Sequence, residues 1–351
     1  MRPIGVFDDR TSRRHALKEL LRGAARGAQE LATPLGLDLG LGRAPVRRRI
    51  ERPQERSVQG SASRGAVSVE RLLDWATDAG LGQRSDAILR LAVPSLRAVP
   101  DTGRCPPPGR SRMGGEPSLT DAGLWPRQGE RHLPFLAQFE LPEAPGGEPD
   151  GLALAGPGLL LVFLAPPEPG GIAVTDSGSC RVLWLPGEGE RKAGRRRGRS
   201  GRSLHISREL TLPRAWYSGV GALELSDEER RAWEQLRSRL AKAQGVELHD
   251  KVDGSLVLNR LFGYPDERRG DMRLICELLD LGADLEGGLA RNHPLAERAQ
   301  AGAGRWRLLA QISRGDPSAP AWAGKDRRLY LWIDEDSLRI RDFSRVRALL
   351  R

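Results

Sequence analysis

Cysteine is scarce in this chain of 351 residues, where Cys105, Cys180 and Cys276 are scattered and odd in number. No C-x-x-C occurs, so neither a zinc knuckle nor a redox dithiol is indicated. A disulfide framework is not expected, and a reducing, cytoplasmic setting is. No apolar run reaches the roughly 20 residues that span a bilayer. Phosphate-loop and dinucleotide fingerprints are missing, and Ser177-Gly178-Ser179 has the wrong frame for a nucleophile elbow. The five histidines, His15, His132, His205, His249 and His293, never stand in metal-binding spacing. His249-Asp250 with Asp253 reads as a polar turn. Asp334-Glu335-Asp336 lacks the Gly and the closing Glu of a calcium loop. No metal and no cofactor is expected. Aromatics are only 5%, although eight are Trp and most of those follow Asp121.

What is abundant is Gly (42) and Pro (25), together with basic charge: 56 Lys+Arg against 46 Asp+Glu, a net +10. Part of the chain should therefore be loop or disorder. A basic balance raises the prior for nucleic acid, phosphate or acidic partners. The competing reading, that an Arg- and Ala-rich protein uses Arg for solubility, is preferred.

One stretch has an echo. Ser111-Arg112-Met113-Gly114-Gly115-Glu116-Pro117 aligns without a gap on Asn259-Arg260-Leu261-Phe262-Gly263-Tyr264-Pro265. Leu136-Ala137-Gln138-Phe139 follows the first, Leu309-Ala310-Gln311-Ile312 the second, and each precedes an apolar run, Leu159 to Leu164 and Leu329 to Ile333. The pattern predicts a duplicated half-domain, with pseudo-repeats at about 110–185 and 258–345.

In chain order, Ser12-Arg13-Arg14 is followed by Glu19, Arg22, Arg26 and Glu30, too charged for export. Leu17, Leu20, Leu21, Ala24 and Ala25 recur at helical spacing, so 1–30 reads as a basic amphipathic helix. Residues 31–66 read as a disordered linker. Residues 67–100 read as a helical hairpin ending before Pro94. A larger domain is expected over 101–351. Its strands are predicted at Pro134 to Leu141, Leu159 to Leu164, Ile172 to Val174, Arg181 to Leu185, Trp306 to Ile312 and Leu329 to Ile333. Residues 188–203, centred on Arg195, Arg196, Arg197 and Arg199, read as a solvated basic loop. It could track phosphates, but it lacks aromatics for base stacking. Ser226-Asp227-Glu228-Glu229 is a capping box opening a helix that Gly245 ends. A helix over Leu274 to Leu279, a loop over 282–304 and a terminal helix over Phe343 to Leu350 complete the expectation.

Residues 112–351 resemble the YwqG family, a bacterial domain family of unestablished function. The pieces that carry the resemblance are Gly114-Gly115-Glu116-Pro117, Leu124-Trp125-Pro126, Leu133 to Gln138, Leu261 to Asp266, Arg269 to Met272, Trp306 to Ile312, Arg328 to Ile333 and Asp342 to Val346. The resemblance implies an α+β fold with antiparallel sheets, and no substrate. Members often carry His where this chain has Asn259 and Gln where it has Arg269, so a catalytic role for that His would be lost here.

The fold expected is α+β: a duplicated, mainly antiparallel β core flanked by helices, with an N-terminal helical extension. No nucleophile, base or metal constellation emerges. A non-catalytic binding or protein-interaction module is therefore the leading reading, with an unknown protein or small anionic ligand as partner. Two alternatives stand: a hydrolase or phosphate-ester-binding enzyme with its site between the repeats, and nucleic-acid binding through the Arg-rich loop. Buried Gln needs partners, so Gln138 and Gln311 either hold the Gly-x-Pro turn of their own half or converge on a ligand. Arg112 and Arg260 suit a carboxylate or phosphate, and Tyr264 and Asp271 complete the candidate ligand set.

Overall fold

The computed structural model describes residues 67–101, 107, 109–119, 121–141, 157–165, 178–187, 201–246, 258–267, 270–285, 293–313 and 328–350. The expected basic helix and linker, the strand at 172–174 and the centre of the Arg-rich loop lie outside them.

Helix α1 (Val69–Asp78) is capped by Ser68, whose Oγ accepts from the Arg71 amide at 3.3 Å. Gly80, at φ +80°, takes the left-handed position after it. A short helix α2 (Ser85–Leu91) follows. The chain then enters β1 (Val93–Pro100), a strand and not the tail of a hairpin. Next come β2 (Arg112–Met113), the small β3 (Arg127–Gln128) and β4 (Arg131–His132), then β5 (Phe135–Leu141), β6 (Gly158–Leu164) and β7 (Cys180–Pro186). Strand β8 (Arg202–Thr211) begins where the basic loop was expected to end. After α3 (Ser218–Gly221) comes α4 (Asp227–Ala243), opened by the capping box: Ser226 Oγ accepts from the Glu229 amide at 3.1 Å and Glu229 Oε2 from the Ser226 amide at 2.8 Å. Strand β9 (Asn259–Leu261) and helix α5 (Met272–Asp280), capped by Asp271, follow.

Two corrections come late in the chain. The stretch expected as loop over 282–304 holds α6 (Ala296–Gly302) and a 3₁₀ turn. Its small residues let it sit close on α5, where Ala299 is fully buried with Leu274 and Leu278. Strands β10 (Trp306–Ser313) and β11 (Arg328–Asp334) match expectation, and Asp334 caps α7 (Glu335–Ile340). The expected terminal helix is instead a 3₁₀ turn, Phe343–Arg345, and a strand, β12 (Arg347–Leu350). Ala348 and Leu350 face one core while Leu349 faces another, the period-two signature of a strand.

One antiparallel sheet of ten strands runs β12-β11-β10-β9-β1-β8-β2-β5-β6-β7. Its order is two-fold about the central β1/β8 pair, which is registered from Val93↔Thr211 to Pro100↔Leu204. Outward on one side stand β9 to β12; outward on the other stand β2, β5, β6 and β7. Strand β1 leads into β2 along the chain yet pairs with β9, and β8 leads into β9 yet pairs with β2. Each half thus lends its first strand to the other. Neither half can keep its backbone hydrogen bonds alone.

Both faces of the outer strands are covered, so β6 and β11 read as continuous apolar runs. Leu160, Val162 and Leu164 join Leu329, Leu331 and Ile333 in one core. Leu159, Leu161 and Phe163 turn to the opposite face against Leu119, Leu133 and Phe135. On the other half, Trp306, Tyr330 and Trp332 pack beneath α5. Each fully buried aliphatic or aromatic side chain of this kind contributes roughly 1.5–3 kcal/mol. Helices α1, α2 and α4 form a separate core with Leu212 and Val220. Among the described residues, no helix is long and apolar enough to cross a membrane.

Candidate functional site

The two aligned segments form the same hydrogen-bonded loop twice. Arg112 stands opposite Gln138 across β2/β5, and Arg260 opposite Gln311 across β9/β10. Gln138 Oε1 accepts from the Ser118 amide at 2.9 Å, and its Nε2 donates to the Arg110 carbonyl at 2.7 Å. Gln311 Oε1 accepts from the Asp266 amide at 2.8 Å, and its Nε2 donates to the Leu258 carbonyl at 3.0 Å. Ser118 and Asp266 occupy the same place in the alignment, as do Arg110 and Leu258. Arg112 Nη1 donates to the Glu116 carbonyl at 3.5 Å, Arg260 Nη1 to that of Tyr264 at 2.8 Å. The Ser111 hydroxyl accepts from the Glu140 amide, and Asn259 Oδ1 from the Ser313 amide, both at 2.8 Å. Left-handed backbone recurs too: Gly114 and Gly115 at φ +67° and +74°, Phe262 and Gly263 at +60° and +67°.

Both Gln side chains are 0% exposed. Their amides meet the backbone of their own loops, as the Gly-x-Pro alternative expects. Between β5 and β10 the sheet order places five interstrand steps, on the order of 24 Å along the sheet. Arg112 with Gln138 and Arg260 with Gln311 therefore form two neighbourhoods, one per half. Asn259 also acts inside its loop, so the position where relatives often carry His faces the core at 1% exposure.

The second neighbourhood carries charge. Asp266 is 0% exposed and meets three guanidiniums: Arg328 Nη1 at 3.0 Å on Oδ2, with Arg214 Nη2 at 3.3 Å and Arg237 Nη2 at 3.4 Å sharing Oδ1. Burial pushes this carboxyl up, and Arg237, Arg328 and Arg214 together outweigh it, holding it below the usual carboxylate range. Burial, then the neighbouring Arg214, pushes Arg237 below its ordinary value. Beside them Arg260 Nε donates to Glu209 Oε1 at 2.6 Å, a pair buried on both sides.

Two of these guanidiniums, those of Arg214 and Arg237, also line a cavity of about 420 Å³, together with Ala215, Trp216, Arg230, Glu234 and Ser238. Helix α4 supplies Arg230, Glu234, Arg237 and Ser238, spaced to share one helical face. The other wall is the segment after β8, pinned to α4 at three points. Trp233 Nε1 donates to the Pro213 carbonyl at 2.8 Å, the Ala215 amide to Glu234 Oε1 at 2.7 Å, and Arg237 Nε to the Leu212 carbonyl at 3.3 Å. Trp216 stands 43% exposed beside the opening.

Tyr264 and Asp271 are linked through Tyr217 and Arg273. Tyr264 packs edge-on against Tyr217 with centroids 5.0 Å apart. Arg273 lies 3.5 Å over the Tyr217 ring, donates to its hydroxyl and to Asp271, and donates to Ser218 Oγ at 3.0 Å. Burial, then the neighbouring Tyr217, raises the Tyr264 phenol well above its ordinary value. Arg214, Trp216, Arg230 and Arg237 do not stand out in the sequence. The one local signal is Pro213-Arg214-Ala215-Trp216-Tyr217, where a cation and two aromatics follow a strand end. Arg195, Arg196, Arg197 and Arg199 lie outside the described residues.

Among the described residues, no group of three or more His, Cys, Asp or Glu side chains could hold a metal ion. Compared with known families, residues 111–350 match one described as a domain of unknown function, DUF1963. The match begins after β1, the strand at the centre of the sheet. No curated protein matches the chain.

Proposed function

The chain belongs to the DUF1963 family, and from that premise we propose that it is a non-catalytic binding module for a small anionic ligand, held in the cavity between Arg214–Trp216 and α4. One observation carries the reading: a single buried carboxylate, Asp266, is divided among three guanidiniums, two of which line the cavity. Contacts of 3.3 and 3.4 Å are long for charge-assisted hydrogen bonds, which close to about 2.7–2.9 Å. Arg214 and Arg237 are thus the cations that an anion in the cavity would meet. The volume suits a small molecule, and a cytoplasmic setting accords with the unpaired Cys180 and Cys276.

Arg112, Gln138, Arg260 and Gln311 serve in this proposal as loop-positioning residues. Tyr264 and Asp271 support the wall through Tyr217 and Arg273. The nucleic-acid alternative has composition alone behind it. Calorimetric titration of the full chain with benzoate, phenyl phosphate and benzyl alcohol tests the reading. Binding of an anion, with none for the alcohol, is expected. A folded protein that binds neither anion overturns it.

A further inference from the structure

Resting on that reading, we infer that the anionic group is the carboxylate of a free α-amino acid, whose ammonium is met by Glu234 and whose side chain lies against Trp216. Among the described residues, Asp266, Glu267 and Arg328 lie outside the lining, so the chemistry a ligand meets is set by α4 and residues 214–216. On α4 a carboxylate stands between two guanidiniums, Arg230 before Glu234 and Arg237 after it. Glu234 is held at one oxygen and open at the other. Its Oε1 accepts from the Ala215 amide at 2.7 Å, which fixes the side chain against the opposite wall. Its Oε2 makes no hydrogen bond among the described residues, and the ion pair to Arg237 Nη1 is 3.7 Å long, beyond hydrogen-bond reach. Arg237 uses Nε on the Leu212 carbonyl at 3.3 Å and Nη2 on Asp266 at 3.4 Å, so Nη1 has only Glu234.

A donor and an acceptor thus stand side by side in one cavity wall, each short of a hydrogen bond. That juxtaposition selects the ligand. An anion without a donor would meet Glu234 as a like charge, and a cation without a carboxylate would meet Arg214, Arg230 and Arg237. An α-amino acid carries both groups on one carbon. Its carboxylate can close on the guanidiniums while its ammonium closes on Glu234 Oε2, and charge-assisted hydrogen bonds then replace one long ion pair. Trp216, 43% exposed at the same cavity, offers an indole face to a flat side chain. A volume of about 420 Å³ accommodates such a molecule.

The test is calorimetric titration of the full chain with L-phenylalanine, L-alanine, 3-phenylpropionate and phenethylamine, with phenyl phosphate alongside. Phenylalanine should bind on the order of tenfold more tightly than 3-phenylpropionate, the effect of one charge-assisted hydrogen bond, and phenethylamine should bind least. Glu234→Gln keeps an oxygen for the Ala215 amide and removes the charge. The wall should therefore hold while the advantage of phenylalanine over 3-phenylpropionate disappears. Trp216→Ala changes an exposed side chain and should bring phenylalanine down to the level of alanine. If 3-phenylpropionate bound as tightly as phenylalanine, the amino-acid assignment would fall and the anion module would stand. Phenethylamine binding as tightly as phenylalanine would overturn the carboxylate contact. An advantage that survives Glu234→Gln would overturn the placement of the ammonium, and phenylalanine unchanged in Trp216→Ala that of the ring. If phenyl phosphate alone bound, the amino-acid assignment alone would fall; failure of every anion would remove both readings.

Discussion

In the first half of the sheet the residue whose amide caps the buried Gln is Ser118; in the second half it is Asp266. Around them the loops are the same: the same Arg opposite the same Gln, the same left-handed pair, the same bond from the Arg to the carbonyl four residues on. The side-chain atom beyond that shared scaffold differs. Ser118 Oγ accepts from the Gly109 amide at 2.9 Å, from Gln138 Nε2 at 3.0 Å and from Arg112 Nη2 at 3.4 Å, closing a network within its own half. Asp266 instead reaches Arg214, Arg237 and Arg328 from three other elements. One loop design can thus be an internal brace or the anchor of a buried charge cluster, depending on one side chain. The two-fold sheet supplies two equivalent positions, and the buried Arg–Asp cluster occupies one.

The sharpest break of this comparison is removal of the distinguishing atoms. Asp266→Ala should cost about 3–5 kcal/mol, because it strands buried guanidiniums without their counter-charge. Ser118→Ala should cost about 1–3 kcal/mol, the penalty for leaving buried donors without one of their acceptors. Urea unfolding of both variants measures the gap. Equal costs would mean that Asp266 is only another loop brace.

A second, smaller effect follows from the titration of the same carboxyl. Asp266 is held below its ordinary value in the folded protein, burial being outweighed by Arg237, Arg328 and Arg214. Below the ordinary value of about 3.9, the unfolded chain binds the proton first. The stabilisation is therefore complete above that pH and is lost as pH falls through the depressed folded value. The stability difference between wild type and Asp266→Asn should be constant near neutrality and shrink below about pH 4. Ser118→Ala should show no such trend. A difference that persists unchanged in acid would show that the cost of Asp266→Asn lies in shape and not in charge.

How far this contrast could be read in advance depends on where the polar groups sit. The echo of Arg112 in Arg260 and of Gln138 in Gln311 was legible, because both members of each pair occupy matching places in similar segments. The apolar runs of β6 and β11 were legible because both their faces are buried. Strands β1 and β8, the centre of the sheet, were not. Pro94 and Arg97 lie in β1 and Glu209 in β8, residues that ordinarily mark an end or a surface. Here Arg97 and Glu209 lie in a buried polar layer, where Arg260 neutralises Glu209 at 2.6 Å and Arg97 donates to the Gln244 carbonyl at the end of α4. Leu204, Ile206 and Leu210 do alternate in β8, but charged neighbours mask the pattern. The cavity was hidden for a related reason: Arg214, Arg237 and Arg328 come from three elements far apart in the chain, and only tertiary packing gives them a common carboxylate.

The smallest expected effect tests whether burial, and not the mere count of ion pairs, separates the halves. The first half has its own Arg–carboxylate contact, Arg110 Nη1 to both oxygens of Glu140 at 3.1 Å, with side chains 64% and 37% exposed. The second half has Arg260 to Glu209 at 2.6 Å, with side chains 6% and 2% exposed. Water screens the first pair and is excluded from the second. Arg110→Ala should therefore shift stability by no more than about 0.5–1 kcal/mol, and less at high salt. Glu209→Gln keeps the shape but leaves Arg260 uncompensated, and should cost several times more, on the order of 3 kcal/mol. The two unfolding curves should separate clearly in low salt and remain separated at 1 M salt, since screening reaches only the exposed pair. If Arg110→Ala cost as much as Glu209→Gln, the halves would differ in sequence but not in the physics that makes one of them a candidate site.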